Sequence, residues 1–281
     1  MKTINALTID WEYWWCNKFL GEVSEKEKEK ESIIESSIQL LNLLDKYEAK
    51  ATFFILGMAA EDHPEIVEEI YKRGHEIASH GYSHKSLSEL GKKKFEKEIE
   101  KSLNILAEYR LKGFRAPYFS INNSTKWAFE ILKKYGFEYD SSIFPTSLTY
   151  NGVPGASLNI YKPSNNDITK HNPKGKIIEF PLTCLNFGIN IPIAGGFSVR
   201  MLPLWFLKYG IKKVNRIRPV ILYIHPWEIS KKTPKLNILS NPSRIMTYLG
   251  TNFILKKFEA ILKEFRFRTI KEVLNQSHFS N

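Results

Sequence analysis

"KATFFILGMAAEDHPEIVEEIYKRGHEIASHGYSH", residues 50–84, reads as a strand, a helix and a second strand. "KATFFILG" (50–57) is a short run of β-branched and aromatic residues that ends in Gly. "HPEIVEEIYKRG" (63–74) has Pro at a first-turn position, apolar residues at helical spacing and a terminal Gly. "HEIASH" (75–80) then begins another short apolar run. Strands joined through a helix run parallel, because the helix carries the chain back to the starting edge of the sheet.

The same rhythm extends in both directions. "INALTID" (4–10) is a buried strand, followed by a helix over "SIIESSIQLLNLLDKYEA" (32–49). Downstream come a helix over 93–109, a strand at "GFRAP" (113–117) and a helix over "STKWAFEILKKYG" (124–136), with Ser124 as cap and Gly136 as stop. "KIIEFPL" (176–182), a helix around 203–217, "PVILYIHP" (219–226) and a helix around 243–264 complete the series. This alternation predicts an α/β fold, either an open doubly wound sheet or a barrel. Residues 145–175 are rich in Pro, Gly and Asn and lack periodicity, which predicts a long lid or groove wall. No internal repeat is present, and the expectation is one domain over 1–281, with 229–281 a C-terminal helical extension packed on it.

At 281 residues, 43% hydrophobic and 25% charged, the chain has the composition of a soluble globular protein. No apolar run approaches the roughly 18 residues of a membrane span, and "MKTINALTIDWEYWW" does not read as a signal peptide. The expected location is therefore cytoplasmic or peripheral at a membrane face. Cys16 and Cys184 are the only cysteines, so no disulfide framework is implied. The formal net charge is +11, but lysines interleave with glutamates in stretches such as "KKKFEKEIEK" (92–101), and no nucleic-acid module is recognisable.

Titratable residues collect where the predicted strands end. The first strand delivers Asp10 and Glu12, and the one at 75–80 delivers His80 and His84. The strand at 113–117 gives Arg115, "YDSSIFP" gives Asp140, and "YIHPWE" gives His225. Ligands of parallel α/β folds bind at the carboxyl ends of the strands, so five separate segments contribute to one edge. Two His four residues apart share one face of a helix or of a tight loop, near enough to hold one divalent cation. A carboxylate as third ligand would leave an open position for catalysis.

Taken together, these motifs resemble the metal-dependent polysaccharide deacetylases of carbohydrate esterase family four. The acid pair, the His-x-x-x-His pair, "RAPY", the later Asp and "YIH" follow the family's order over roughly residues 3–230, with Tyr223 where the family has Leu. "GFRAPYFSIN", "EFPLT", "GGFSVRMLP", "YIHPWE" and "FRFRTIKEVL" resemble a branch found with bacterial exopolysaccharide systems. The resemblance implies a single irregular parallel (β/α) barrel with about seven strands. It also implies a divalent metal, zinc by default with cobalt, nickel, manganese or ferrous iron as alternatives, and an N-acetylated saccharide or polysaccharide as substrate.

The family's commoner acid motif is Asp-Asp-Gly, whereas Trp11 and Glu12 follow Asp10 here. By analogy with Asp-x-Glu branches, the resemblance implies Glu12, His80 and His84 as metal ligands; the alternative gives the metal to the two His with Asp10 or water. It further implies Asp10 as base, oriented by Arg115, and His225 as acid, oriented by Asp140, on opposite sides of the acetyl group. The backbone N–H of Tyr118 becomes the oxyanion donor, and Trp11, Trp227 and Tyr118 become sugar-contacting residues. Competing readings are a hydrolase of another amide or imide on the same fold, a saccharide binder without catalysis, and a basic nucleic-acid binder.

Overall fold

The computed structural model describes residues 3–20, 28, 30–234, 236 and 241–276. Residues 235, 237–240 and 277–281 of the predicted extension, and 1–2, 21–27 and 29 of the predicted domain, lie outside the described residues. Strands β1 (Ile4–Trp11), β2 (Thr52–Ile55), β3 (Glu76–Ser79), β4 (Gly113–Phe114), β5 (Tyr139–Asp140) and β6 (Ile178–Glu179) pair in sequence order, all parallel. A hairpin of β7 (Cys184–Asn186) and β8 (Asn190–Pro192) follows, and then β9 (Ile221–Ile224), parallel to β1 on its other edge. Last comes β10 (Arg266–Arg268), which pairs with the first half of β1 beside the start of β2.

The path β9-β1-β2-β3-β4-β5-β6 is a curled half-barrel of seven parallel strands, with helices outside it. Between β6 and β9 the seam carries no strand pairing among the described residues. Single bonds cross it instead, from Ile221 N–H to Thr183 Oγ1 (2.8 Å) and from Tyr223 N–H to the Ala194 carbonyl (2.9 Å).

Two-residue periodicity decides what each strand offers to each side. Leu7, Ile9 and Trp11 of β1 and Phe53 and Ile55 of β2 point outward into the core shared with the helices. Ala6, Phe54, Ala78, Ile221 and Tyr223 point inward and form a second cluster. On that inner parity Thr8 and Asp10 follow Ala6, His80 follows Ala78, and His225 follows Tyr223. One apolar helix face, Ile254, Phe258 and Ile261 of Thr251–Leu262, joins the same outer core.

Several boundaries differ from the sequence reading. The helix expected at 93–109 begins at Leu87, where the Glu89 carboxylate accepts from the Ser86 N–H (2.8 Å) and closes the first turn. The helix expected around 243–264 is two, Asn241–Tyr248 and Thr251–Leu262, separated at Gly250 with φ 81°. Residues 145–175 hold no named element, as expected, and the β7–β8 hairpin and β10 were not anticipated.

Trp11 is the clearest correction. Because Asp10 faces inward, Trp11 must face outward, where it is fully buried and its Nε1–H donates to Ser37 Oγ (2.7 Å). It cannot contact a sugar. Trp11→Ala is expected to destabilise the fold by about 3–5 kcal/mol, the range for emptying a large aromatic site. Denaturant titration measures this; an unchanged midpoint with a raised KM would return Trp11 to the substrate.

Candidate active site

Arg115 is wholly buried just beyond β4 and organises the floor of the site. Its Nε donates to the Ser141 carbonyl (2.9 Å) and one terminal nitrogen to Ser141 Oγ (2.8 Å). The other terminal nitrogen donates to Thr8 Oγ1 (2.8 Å) and Asp10 Oδ1 (2.6 Å). The planar guanidinium also lies 4.1 Å over the Phe54 ring. Asp10 is thereby fixed through one oxygen, and Oδ2 faces the cleft.

The two His lie on a loop after β3, not on a helix. Gly81 turns the chain with φ 74°, and His84 itself has φ 58°, a left-handed conformation that is costly outside Gly. His80 Nδ1–H donates to the Arg115 carbonyl (2.8 Å), which turns Nε2 toward Glu12. Glu12 Oε2 stands 3.4 Å from His80 Nε2 and makes a close contact with His84 Nε2. Its Oε1 accepts from Trp227 Nε1–H (3.3 Å). Burial opposes the charge on Glu12, but His84 and the hydrogen bonds from His80 and His84 outweigh it and hold the carboxyl well below its ordinary pKa. Glu12, His80 and His84 bring their donor atoms within 4.8 Å of one another, all three buried.

His225 ends β9 and stacks on Trp227, ring centroids 5.2 Å apart. Its Nδ1 bonds Glu228 Oε2 (2.9 Å), and Nε2 lies 3.8 Å from both Asp10 Oδ2 and Glu12 Oε1. Burial disfavours the imidazolium, but Glu228, Glu12 and Asp10 outweigh it and push the pKa up to about 9. Glu228 is itself buried, caps the turn through the His225 N–H (3.1 Å) and pairs with Arg200 Nε (2.8 Å). Gly196 packs against the Glu228 carboxylate where a Cβ would collide. "GGFSVR" therefore serves "YIHPWE" across the fold.

These residues line one cleft of about 250 Å³, together with Tyr118 and Trp227. Tyr118 and Phe119 are consecutive non-Gly residues with φ 56° and 54°, and the Tyr118 ring packs edge-on against His84 (4.5 Å). Such a strained turn persists only where its surroundings impose it.

Two expectations need correction. Asp140 does not orient His225, because it accepts from Ser142 Oγ (2.7 Å) and Ser142 N–H (3.1 Å) and faces Glu179 across the β5–β6 register. Burial raises the pKa of Asp140 and raises that of Glu179 further, as two neighbouring carboxyls out of water favour a shared proton. The partner of His225 is Glu228, which sequence reasoning passed over although the Glu lies three residues beyond the His, the spacing of a capping acid. Asp10 and His225 are also not set apart on opposite sides of the cleft as expected: Asp10 Oδ2 and His225 Nε2 lie 3.8 Å from each other.

An inward Glu-His-His cluster at the carboxyl end of a curled parallel barrel is a donor set that could hold a divalent cation. Residues 34–139 match the polysaccharide deacetylase family, and residues 141–275 match a domain of unknown function, DUF3473. Over residues 34–139 the chain is thus similar to the polysaccharide deacetylases. A peptidoglycan-N-acetylglucosamine deacetylase of Bacillus cereus is 41% identical over 101 residues, 34% of this chain and 37% of that protein. The matches span only about a third of the curated relatives' lengths. A candidate polysaccharide deacetylase of Mycobacterium smegmatis shares the fold with a TM-score of 0.59 at 18% identity, covering 98% of this chain and 91% of that one. An allantoinase shares it with a TM-score of 0.60 at 15% identity, covering 98% and 83%.

The Glu228 contact has a titratable consequence in metal-free protein. Glu228→Gln is expected to drop the His225 midpoint from about 9 toward or below its ordinary 6.5, read from the imidazole proton resonance, while Asp140→Asn leaves it in place. Because the folded value exceeds the unfolded one, this pair stabilises the fold below pH 6.5 and loses that contribution as pH rises through 9. A stability profile flat over that range in wild type would contradict the pairing.

Proposed function

We propose that this chain is a metal-dependent hydrolase that removes N-acetyl groups from a glycan or saccharide precursor. The observation that carries the reading is the Glu12, His80 and His84 cluster beside Asp10–Arg115 and His225–Glu228 in one cleft. The donor set fits a divalent cation: one carboxylate held ionised and two imidazoles offering Nε2, one of them fixed by a backbone carbonyl on Nδ1. A bound cation, zinc by donor type with cobalt, nickel, manganese or ferrous iron able to substitute, supplies Lewis acidity toward water and the acetyl carbonyl.

The chain's own residues divide the remaining tasks. Asp10 accepts the proton of the attacking water at Oδ2, since Oδ1 is committed to Arg115. His225 donates from Nε2 to the departing amine, and a pKa raised to about 9 keeps it protonated at neutral pH. Glu228 fixes its ring. The Tyr118 backbone N–H, presented by the strained turn, meets the developing oxyanion. Tyr118, half-buried at the cleft, offers aromatic surface for a sugar ring, whereas Trp227 is buried and stacked on His225. The whole of 1–281 is proposed as one catalytic unit, with the helices after 229 packed on the barrel.

Two features weigh against the rival readings. The complete donor set disfavours a binder that has lost catalysis, and similarity in sequence to a peptidoglycan-N-acetylglucosamine deacetylase and a chitin deacetylase favours a glycan deacetylase over an imide hydrolase. Acetate release from N-acetylated chitooligosaccharide and peptidoglycan fragments, with and without chelator, tests the proposal. Release that chelator abolishes and zinc restores is expected; hydrolysis of cyclic imides in its place would overturn it. Asp10→Asn is expected to lower kcat by about 10²–10⁴-fold with metal content unchanged.

A further inference from the structure

The chain's positive charge is not evenly distributed. Of 41 Lys and Arg and 30 Asp and Glu, twelve cations and one acid, Glu228, fall within residues 180–258. That surplus of eleven equals the whole formal net charge of +11, so everything outside the segment is balanced. The one acid is buried against Arg200 and His225. The segment therefore has a large cation surplus, partly offset by Glu264, which pairs with Lys208 and Lys212, by Glu35, which pairs with Lys232, and by Glu259 on the same last helix, which pairs with Lys46.

The same segment displays most of the large exposed apolar side chains. Phe197, Met201 and Trp205 recur every four residues, as do Ile245, Leu249 and Phe253, each between 38 and 71% exposed. The two runs meet. The Arg200 guanidinium donates to the carbonyls of Met246 (2.8 Å), Thr247 (3.0 Å) and Leu249 (2.9 Å). Lys257 Nζ donates to the carbonyls of Arg200 (2.7 Å) and Leu202 (2.9 Å). Gly250, whose Cα abuts Arg200, shares one side of its helix with Phe253 and Lys257, which places Phe253 beside the 200–202 turn. Arg244 and Lys256, both exposed, flank the apolar run. The surface adjoins the cleft, since Phe197 and Met246 line its mouth, and exposed Phe19 and Tyr150 line the same cleft.

Six large apolar side chains exposed on two adjoining runs mark a site of interaction with a partner. Met201, Ile245 and Leu249 are aliphatic and have no face on which a sugar or a base stacks, so glycan and nucleic acid do not account for it. Mixed aliphatic and aromatic residues ringed by cations match the interfacial zone of a bilayer. There Trp and Phe sit at headgroup depth and Lys and Arg meet anionic lipid. We propose that the surface built from helices Gly196–Met201, Leu204–Val214, Asn241–Tyr248 and Thr251–Leu262 docks on an anionic lipid bilayer, which sets the cleft mouth at the lipid surface.

The test uses the full chain and vesicles, and reads binding rather than turnover, so its outcome is separable from that of the hydrolase reading. Vesicles of phosphatidylcholine with about one-third phosphatidylglycerol are compared with phosphatidylcholine alone by co-sedimentation, at low and high salt. Binding to the anionic vesicles that weakens with salt is expected. Trp205→Ser with Phe253→Ser is expected to lower the partition coefficient at least about tenfold, with an unchanged unfolding midpoint and unchanged acetate release from a soluble oligosaccharide. Should that pair impair folding, Arg244→Glu with Lys256→Glu serves the same purpose. No binding to anionic vesicles at low salt, or undiminished binding by both variant pairs, would overturn the proposal. So would tighter binding to duplex DNA, or a stable dimer that the same variants dissociate.

Discussion

The site depends on one buried guanidinium. Arg115 joins β1 through Thr8 and Asp10, the 141–142 turn through Ser141, and the His80 ring through its own carbonyl. Burying an ion pair costs several kcal/mol per charge before the attraction is counted, and the balance closes only when the remaining donors are bonded. Here four donor contacts and the Phe54 face meet that demand. With the guanidinium fixed, Asp10 has one oxygen to spare and His80 has one nitrogen to spare, and both are turned to the same cleft.

A second buried pair stands opposite. Glu228 lies between Arg200 and His225, and the glycines at 195 and 196 let β9 and the following turn approach closely enough to form it. Arg200 also ties three carbonyls of the 246–249 turn, so the cleft and the basic, apolar face beside it are mechanically one region. The C-terminal half contributes more than a scaffold: it supplies His225, its partner, and the surface next to the mouth.

Much of this was legible from period and punctuation. Apolar strands ending in Asp10, His80, Arg115 and His225 announce a parallel sheet with a polar edge, and the inward parity of all four follows from the strand period. That parity also fixes Trp11 as an outward core residue once Asp10 faces inward, a consequence the aromatic richness of the stretch obscured. Asp140 was misread because a strand-end acid looks the same whether it serves a cleft or a neighbouring strand; its partner Glu179 arrives through β5–β6 pairing that no local pattern encodes. Glu228 was hidden in a quoted motif, as its role needs Arg200 from 28 residues away. The β7–β8 hairpin and β10 are only three residues per strand, too short for a period to show.

The central claim is that Glu12, His80 and His84, and not Asp10, hold the catalytic cation. Anomalous diffraction from zinc-loaded crystals tests it most directly. The account predicts a single strong peak about 2.0–2.2 Å from Glu12, His80 Nε2 and His84 Nε2, with Asp10 still bonded to Arg115 and outside the coordination shell. A peak bound by Asp10 in place of Glu12, or no peak at the cluster in fully loaded protein, would contradict it.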